Sequence, residues 1–447
     1  ARDVDLGINS DLRWIKVAST TGSHAILDNV RLGDGGYYNH IQSNNTNAEG
    51  TSSNVKIADN NKLNLAGGGW NTSGQTYVVW NWDMGGTSAT NTSGSITSTV
   101  MANPTYGQSI VTWTGNATAN ASVGHGVSSA PDWIMIKNKS TGSTQWRIHD
   151  STSGKRYVFE TGAGSTGYTV SFSSTTFSFD SDSGTHTDWN GNGNEMVAYC
   201  FHDVSNYSKF SSYTGSGSSG KTITIGFRPA FVMVKKSTGA DSWLIMDSTR
   251  NPINPVTNTL AANSNGAENA DTGGIPTNFT DTGFTLTGTG GDYNASGSDY
   301  IYMAFAGGMD SISDYNTDGS IDSRVKANTT YGQSIVSWTN PSSSQTLTVG
   351  HGLGVKPDMI IMKGREESGN WFVYHKDLAT LSGLDEERAY LLLNGTGSTA
   401  SSSDYWADSI PTTSLIATTS NIVGGNSKDV IAYCFASKTG YSKFGSY

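Results

Sequence analysis

Charge is scarce in this chain. Lys, Arg, Asp and Glu make up 14% of its 447 residues, against about 25% in ordinary globular domains. The shortfall does not signal disorder, which goes with few aromatic residues and high net charge; aromatics here reach 10%. Cysteine is nearly missing too. Cys200 and Cys434 are the only two, each inside the string AYCF. Equivalent places in separate modules are poor disulfide partners, so both read as buried free thiols. No apolar run is long enough to span a bilayer, which argues against membrane insertion. A net charge of −10 and a pI near 5.2 argue against a nucleic-acid partner, since phosphates need a basic surface. No G-x-S-x-G elbow, zinc spacing or phosphate loop appears. The chain opens Ala1-Arg2-Asp3, with neither initiator Met nor leader, which reads as a processed or internal start.

What fills the gap is Gly, Ser, Thr and Asn. Thr, Val, Ile and aromatics favour a pleated surface, while Gly, Asn, Asp and Ser favour turns. The chain also repeats itself. NTSGSITSTVMANPTYGQSIVTWT (Asn91–Thr114) and NTDGSIDSRVKANTTYGQSIVSWT (Asn316–Thr339) match at 18 of 24 positions, with an offset of 316 − 91 = 225. Self-similarity at a fixed period is read first, because it sets the architecture. Around these strings the pattern resolves into two module types. WIKVAS, HAILDNVR and YVVWNW in the first module correspond to FVMVKKS, WLIMDSTR and YIYMAF in the third; Asp28 and Arg31 match Asp247 and Arg250, and Trp70-Asn71 matches Tyr293-Asn294. The second and fourth share GQSIV, VGHG and AYCF.

The fold expected is all-β: four tandem β-sandwich modules in the order B-A-B-A, over residues 1–103, 104–213, 214–327 and 328–447. Alternation with period two, as in Val197–Phe201 and Val430–Phe435, marks half-buried strands. Seven or eight strands per module suit a sandwich. Within Lys376–Leu393 a short helix is expected.

The repeat is out of phase with the chain. Each later module begins with an opening strand: SIVTW, KFSSYTG or SIVSW. The first begins one strand late, and the chain ends on SKFGSY, an opening strand with nothing after it. An unpaired edge templates pairing. The expectation is that Tyr441, Lys443, Phe444 and Tyr447 form an assembly strand that completes the first module of a neighbour, or of its own chain, by strand addition. The alternative is a segment cut from a longer chain.

The strings NTDGSI, YGQSIVSWT, VGHGLGVKPDMIIMKG, NWFVYH, AYCFA and YSKFGSY resemble repeat modules in tail-fibre and other virion structural proteins of tailed bacteriophages, marine ones in particular. The resemblance implies a virion or extracellular location, partners that are copies of itself or other virion proteins, loops that touch host surface glycan, and no catalytic residues. A cell-surface adhesin or filament subunit, and a polysaccharide-binding or cleaving tailspike, are the rival expectations.

Four sets of residues are site candidates. His125 and His351 share the GHG string, but Phe227 and Ile8 stand there in the other modules, which suits a packing position. Asp314, Asn316, Asp318 and Asp322 follow the first nine places of an oxygen-ligand Ca²⁺ loop, although Val325 stands where the bidentate Glu belongs. The first copy of that loop has lost its carboxylates, which favours a structural hairpin and no cofactor. Trp146, Trp243 and Trp371 repeat, as do Trp113 and Trp338, and read as core; Trp406, Tyr405, Tyr37 and Tyr38 do not repeat and are the better sugar-stacking candidates. Asp180, Asp182 and Asp188 are the only cluster for carboxylate hydrolysis. No other module matches it, so no enzyme is expected.

Overall fold

Strands rich in Val, Ile and aromatics, separated by Gly- and Asn-bearing turns, build antiparallel sheets through the whole chain. The computed structural model describes residues 2–446 apart from 57–60, 67, 160–161, 252–253, 271–274, 308–314, 366–367, 421–422 and 424. Among them α-helix is limited to Thr187–Asn190, Gly291–Asn294 and Leu378–Ser382. The helix expected in Lys376–Leu393 is that last turn, stopped by Gly383 at φ 72°, after which Ala389–Leu392 is a strand.

Large and small sheets alternate along the chain, and each pair encloses its own apolar cluster. In the second sandwich Glu195–Phe201 lies between the opening strand Gln108–Thr114 and Trp133–Asn138. The third repeats this with Asp299–Ala306 between Ser208–Thr214 and Pro229–Lys236. The fourth does so with Asp429–Phe435 between Gln333–Thr339 and Met359–Gly364. The border drawn at 103 passes between the paired strands Ser98–Asn103 and Gln108–Thr114, whereas those at 213 and 327 cut the strands Ser208–Thr214 and Ser323–Asn328 one residue from their ends. By contacts the chain divides into two bodies, Ala1–Gly307 and Gly308–Tyr447.

The first body is a closed ring of three sandwiches. Backbone N–H groups of Glu49, Gly164 and Glu268 donate to the carbonyls of Lys139, Ser237 and Ala18 at 2.8, 3.0 and 2.8 Å. Each acceptor is the residue after the equivalent strand of its sandwich, Trp133–Asn138, Pro229–Lys236 or Leu12–Val17. So the first sandwich grips the second, the second the third, and the third the first. One side-chain seat repeats the cycle. Trp146 Nε1 donates to the Gln42 carbonyl (2.8 Å), Trp243 Nε1 to that of Val158 (2.8 Å), and His24 Nε2 bonds that of Ala261 (3.0 Å). Between the sheets lies a single apolar cluster drawn from all three sandwiches, among them Trp14, Trp80, Trp82, Trp133, Trp243 and Phe305. Its rings meet mostly edge to face, for example Trp82 and Phe305 at 5.6 Å, the arrangement the aromatic quadrupole prefers.

This ring corrects the half-buried reading of Val197–Phe201. The strand is buried on both faces, because its outer face points into the shared cluster. In the second body Asp429–Phe435 keeps the alternation of buried and half-buried residues.

Candidate assembly site

The first sandwich has the same two sheets, and among the described residues no strand stands in the place of the opening one. Tyr77–Trp82 occupies the place of Asp299–Ala306, yet among the described residues its one strand partner is Leu12–Val17. Beside its free edge runs a groove of about 590 Å³ lined by Val4, Ile15, Leu65, Trp70, Tyr77 and Val79. These side chains come from both sheets, so the groove opens between the layers of the sandwich.

The other sandwiches show what such a groove takes. Each seats one large aromatic from the opening strand at this depth. Trp113 donates to Asn190 Oδ1 at 3.2 Å. Tyr213 donates through its hydroxyl to the Tyr293 carbonyl at 2.7 Å and stacks on Tyr300 at 5.0 Å. Trp338 donates to Asn340 Oδ1 at 3.0 Å. All three are buried. The asparagine beside them also holds the chain that follows: Asn294 Oδ1 accepts from the Ser216 N–H at 2.9 Å. Its counterpart Asn71 is half-buried.

The segment Tyr441–Ser446 follows the course of Tyr207–Ser212 at its start. Tyr441 packs on Tyr331 at 4.6 Å as Tyr207 packs on Tyr106 at 4.7 Å. Phe444 lies 5.7 Å from Phe435, and Phe210 lies 5.8 Å from Phe201. Ser442 bridges Lys438 as Ser208 bridges Val204. Beyond that point the two part: Ser208–Thr214 is a strand in a sheet, whereas residues 443–446 have no strand partner among the described residues and Tyr441 is 58% exposed. Tyr447 lies outside the described residues.

Most of the remaining described candidates are engaged in packing or local hydrogen bonds. His125 and His351 are both buried. Nδ1 of each accepts the N–H two residues on (Val127, Leu353, both 3.2 Å), and Nε2 bonds a carbonyl (Ser173 at 3.1 Å, Thr412 at 3.2 Å). With both nitrogens engaged, and burial lowering the pKa of each, the rings stay neutral and pin a turn. Asp314 lies outside the described residues. Asn316 Oδ1 accepts the Asp318 N–H at 2.8 Å, as Asn91 Oδ1 accepts that of Ser93 at 2.9 Å. The two loops are thus one hairpin device, with or without carboxylates; Asp318 is exposed and Asp322 half-buried. Among the described residues no three His, Cys, Asp or Glu side chains gather as a metal-holding group.

Asp180 accepts N–H groups from Thr169 and Ser183, both at 2.6 Å. Burial works against its charge, but these bonds outweigh it and lower its pKa. Asp188 is ion-paired to Arg147, and Asp182 is exposed, so the three carboxylates serve separate tasks. Of the proposed sugar-stacking rings, Trp406 and Tyr38 are 1% and 2% exposed. Trp406 donates to the Ala389 carbonyl (3.2 Å), and Tyr38 lies under the Arg13 guanidinium at 5.0 Å. They are core residues, which corrects their reading as sugar-stacking candidates. Tyr405 packs on Phe372 at 4.2 Å, and Tyr37 lies beside Lys56. Trp371, expected in the core with Trp146 and Trp243, is half-buried and stacks only on Tyr433 at 6.4 Å, with the Lys363 ammonium at 5.7 Å.

The seat of His24 was readable from HAILDNVR laid against WLIMDSTR, where His24 falls on Trp243; the signal is a histidine at a tryptophan's place. The sequence profile of one family, described as "Domain of unknown function (DUF7483)", matches residues 2–308 and again 310–447. No curated protein and no solved structure matches the chain.

Proposed function

The chain belongs to the DUF7483 family, and we propose that it is a bacteriophage virion structural protein of the tail fibre, tail or head surface, which joins neighbouring molecules by strand addition. The observation that carries this reading is the groove beside Tyr77–Trp82. Its walls carry Val4, Ile15, Leu65, Trp70 and Val79 beside a polar rim, it lies along a strand edge that is free among the described residues, and it matches in place the seats that three opening strands fill elsewhere in the chain. The donor is Tyr441–Tyr447, which equals Tyr207–Tyr213 at six of seven positions, Gly445 standing for Ser211. Main-chain hydrogen bonds supply the strength of such a joint, and the side-chain pocket sets its register. In the third sandwich Tyr213 pairs with Tyr300 and Phe210 with Met303. The corresponding register sets Tyr447 opposite Tyr77 and Phe444 opposite Trp80. The virion setting is supported by the resemblance of YGQSIVSWT, AYCFA and YSKFGSY to phage repeat modules. The three-sandwich ring suits mechanical work, because no sandwich in it can turn without breaking the shared core.

The test is the binding of a labelled Tyr441–Tyr447 heptapeptide to the full chain by fluorescence anisotropy. Saturable binding is expected, weakened at least about tenfold, or about 1.4 kcal/mol, by Val79→Arg in the protein and by Tyr447→Ala in the peptide. No binding, or binding indifferent to both changes, overturns the strand joint. Antibody labelling of purified particles tests the setting, which is overturned if the protein is absent from them.

A further inference from the structure

The fourth sandwich carries the face that welds the first three together, and in the second body that face has no sandwich against it. Register assigns the equivalences. Ile335 pairs with Tyr433 as Ile110 pairs with Tyr199, and Met359 pairs with Phe435 as Trp133 pairs with Phe201. In the second sandwich Ile110, Tyr199, Phe201 and Trp146 are 0–2% exposed inside the shared cluster. In the fourth, Ile335 is 47% exposed, and Tyr433, Phe435 and Trp371 are half-buried. Among the described residues nine large apolar side chains are exposed, and seven of them, Tyr331 through Tyr441, belong to the second body. Of these, Ile335 stands on the outer face itself, next to Tyr433 in register; apolar side chains left open on a sheet face mark an interaction site.

We propose that three copies of this chain associate through the outer face of the fourth sandwich's large sheet, in the ring geometry that the first three sandwiches adopt within one chain. The occupant is a second and third copy because the face is two-sided. In the first body every sandwich offers a ring nitrogen to one neighbour and a carbonyl to the other, so contacts run head to tail and close after three members. A head-to-tail contact that closes makes a cyclic oligomer. The fourth sandwich keeps the donor, Trp371. It also keeps the ring that caps the next member: Tyr199 reaches Asp28 at 2.7 Å and Trp80 reaches Asp247 at 3.1 Å. By the same register Tyr433 of one copy meets His375 of the next.

Closure also affects the strand donor. The place that Ser208–Thr214 takes against the second sandwich is held, in a neighbouring fourth sandwich, by that copy's own Gln333–Thr339. Phe444 therefore leaves Phe435 when the ring closes, and residues 443–446 are released for the groove of the first sandwich. The two joints use different surfaces and fail separately.

The experiment is sedimentation of the full chain in excess free Tyr441–Tyr447 peptide, which occupies any strand-accepting groove and leaves only the face contact. The expected mass is three times 47.3 kDa, reduced to one chain by Ile335→Lys. Ile335 is already exposed in the single chain, so the variant keeps the parent's β-sheet circular dichroism while losing the trimer. A parent chain that sediments as one or two copies overturns the proposal, as does an Ile335→Lys variant that stays trimeric. A chain that trimerises without binding the peptide supports the ring and removes only the strand joint.

Discussion

His24 holds a seat that tryptophan fills in the other two sandwiches of the ring, and the exchange brings pH into one joint of three. Trp14 Nε1 donates to His24 Nδ1 at 2.8 Å, and Nε2 bonds the Ala261 carbonyl at 3.0 Å, so the ring is used as a neutral tautomer. Burial, and after it the charge of Lys16, push its pKa down to about 3. An unfolded histidine titrates near 6.5. Between those values the unfolded chain holds a proton that the native chain does not, so stability falls as pH falls, on the order of 1.4 kcal/mol per pH unit. His149, pushed down to about 4 by burial, adds to the same slope. In urea titrations at pH 7 and pH 4, His24→Phe is expected to lose less stability on acidification than the parent; equal losses would remove His24 from the account. The Tyr199 hydroxyl also binds two sandwiches, donating to Asp28 and accepting from Arg31 at 2.9 Å. Tyr199→Phe leaves that buried pair short of a partner. The expected loss in the same titrations is about 1–3 kcal/mol.

At the scale of elements, the sequence is a good guide to strands and a poor one to their outer faces. Repeat phase, hairpin turns and the place of AYCF followed from Asn–Gly chemistry and period-two alternation, and these are local properties. The ring did not follow. An apolar residue at every second position looks the same whether its partner face meets solvent or another sandwich; only Ile110 beside Ile335, identical in sequence and 0% against 47% exposed, shows the difference. Trp406 was misjudged for a related reason: an irregular loop can fold inward when its indole N–H finds a carbonyl, as here with Ala389. The groove of the first sandwich was legible as a missing repeat, but its depth and lining needed the second sheet in place. At Asn316 the bond that closes the hairpin followed from the repeat, because the first copy makes the same bond with no carboxylate present. Adding EDTA is accordingly expected to leave the melting temperature unchanged, and a downward shift would restore calcium to Asp318 and Asp322.

For the whole molecule, the shared cluster makes the first body one cooperative unit. Repeat proteins whose modules touch only sequence neighbours unfold by nearest-neighbour terms and lose cooperativity with length. Here the first and third sandwiches also touch, through Glu268 and Ala18 and through Trp80 and Asp247. Scanning calorimetry is expected to show residues 1–307 melting in a single transition. Phe305→Ala, which opens a hole where rings of all three sandwiches meet, should shift that whole transition down by about 3–5 kcal/mol, with no separate shoulder for the third sandwich.

The cyclic contact in the first body joins parts of a single polypeptide, and that has a thermodynamic consequence. Its members cannot drift apart at low dose, because each is held near the others at a millimolar-scale effective concentration by the intervening peptide. Any state reached by separate copies, in contrast, rises and falls with how much protein is present. One molecule would then contain a concentration-independent hub and a concentration-dependent clasp of the same design, the first permanent from synthesis and the second closing only where many copies are gathered.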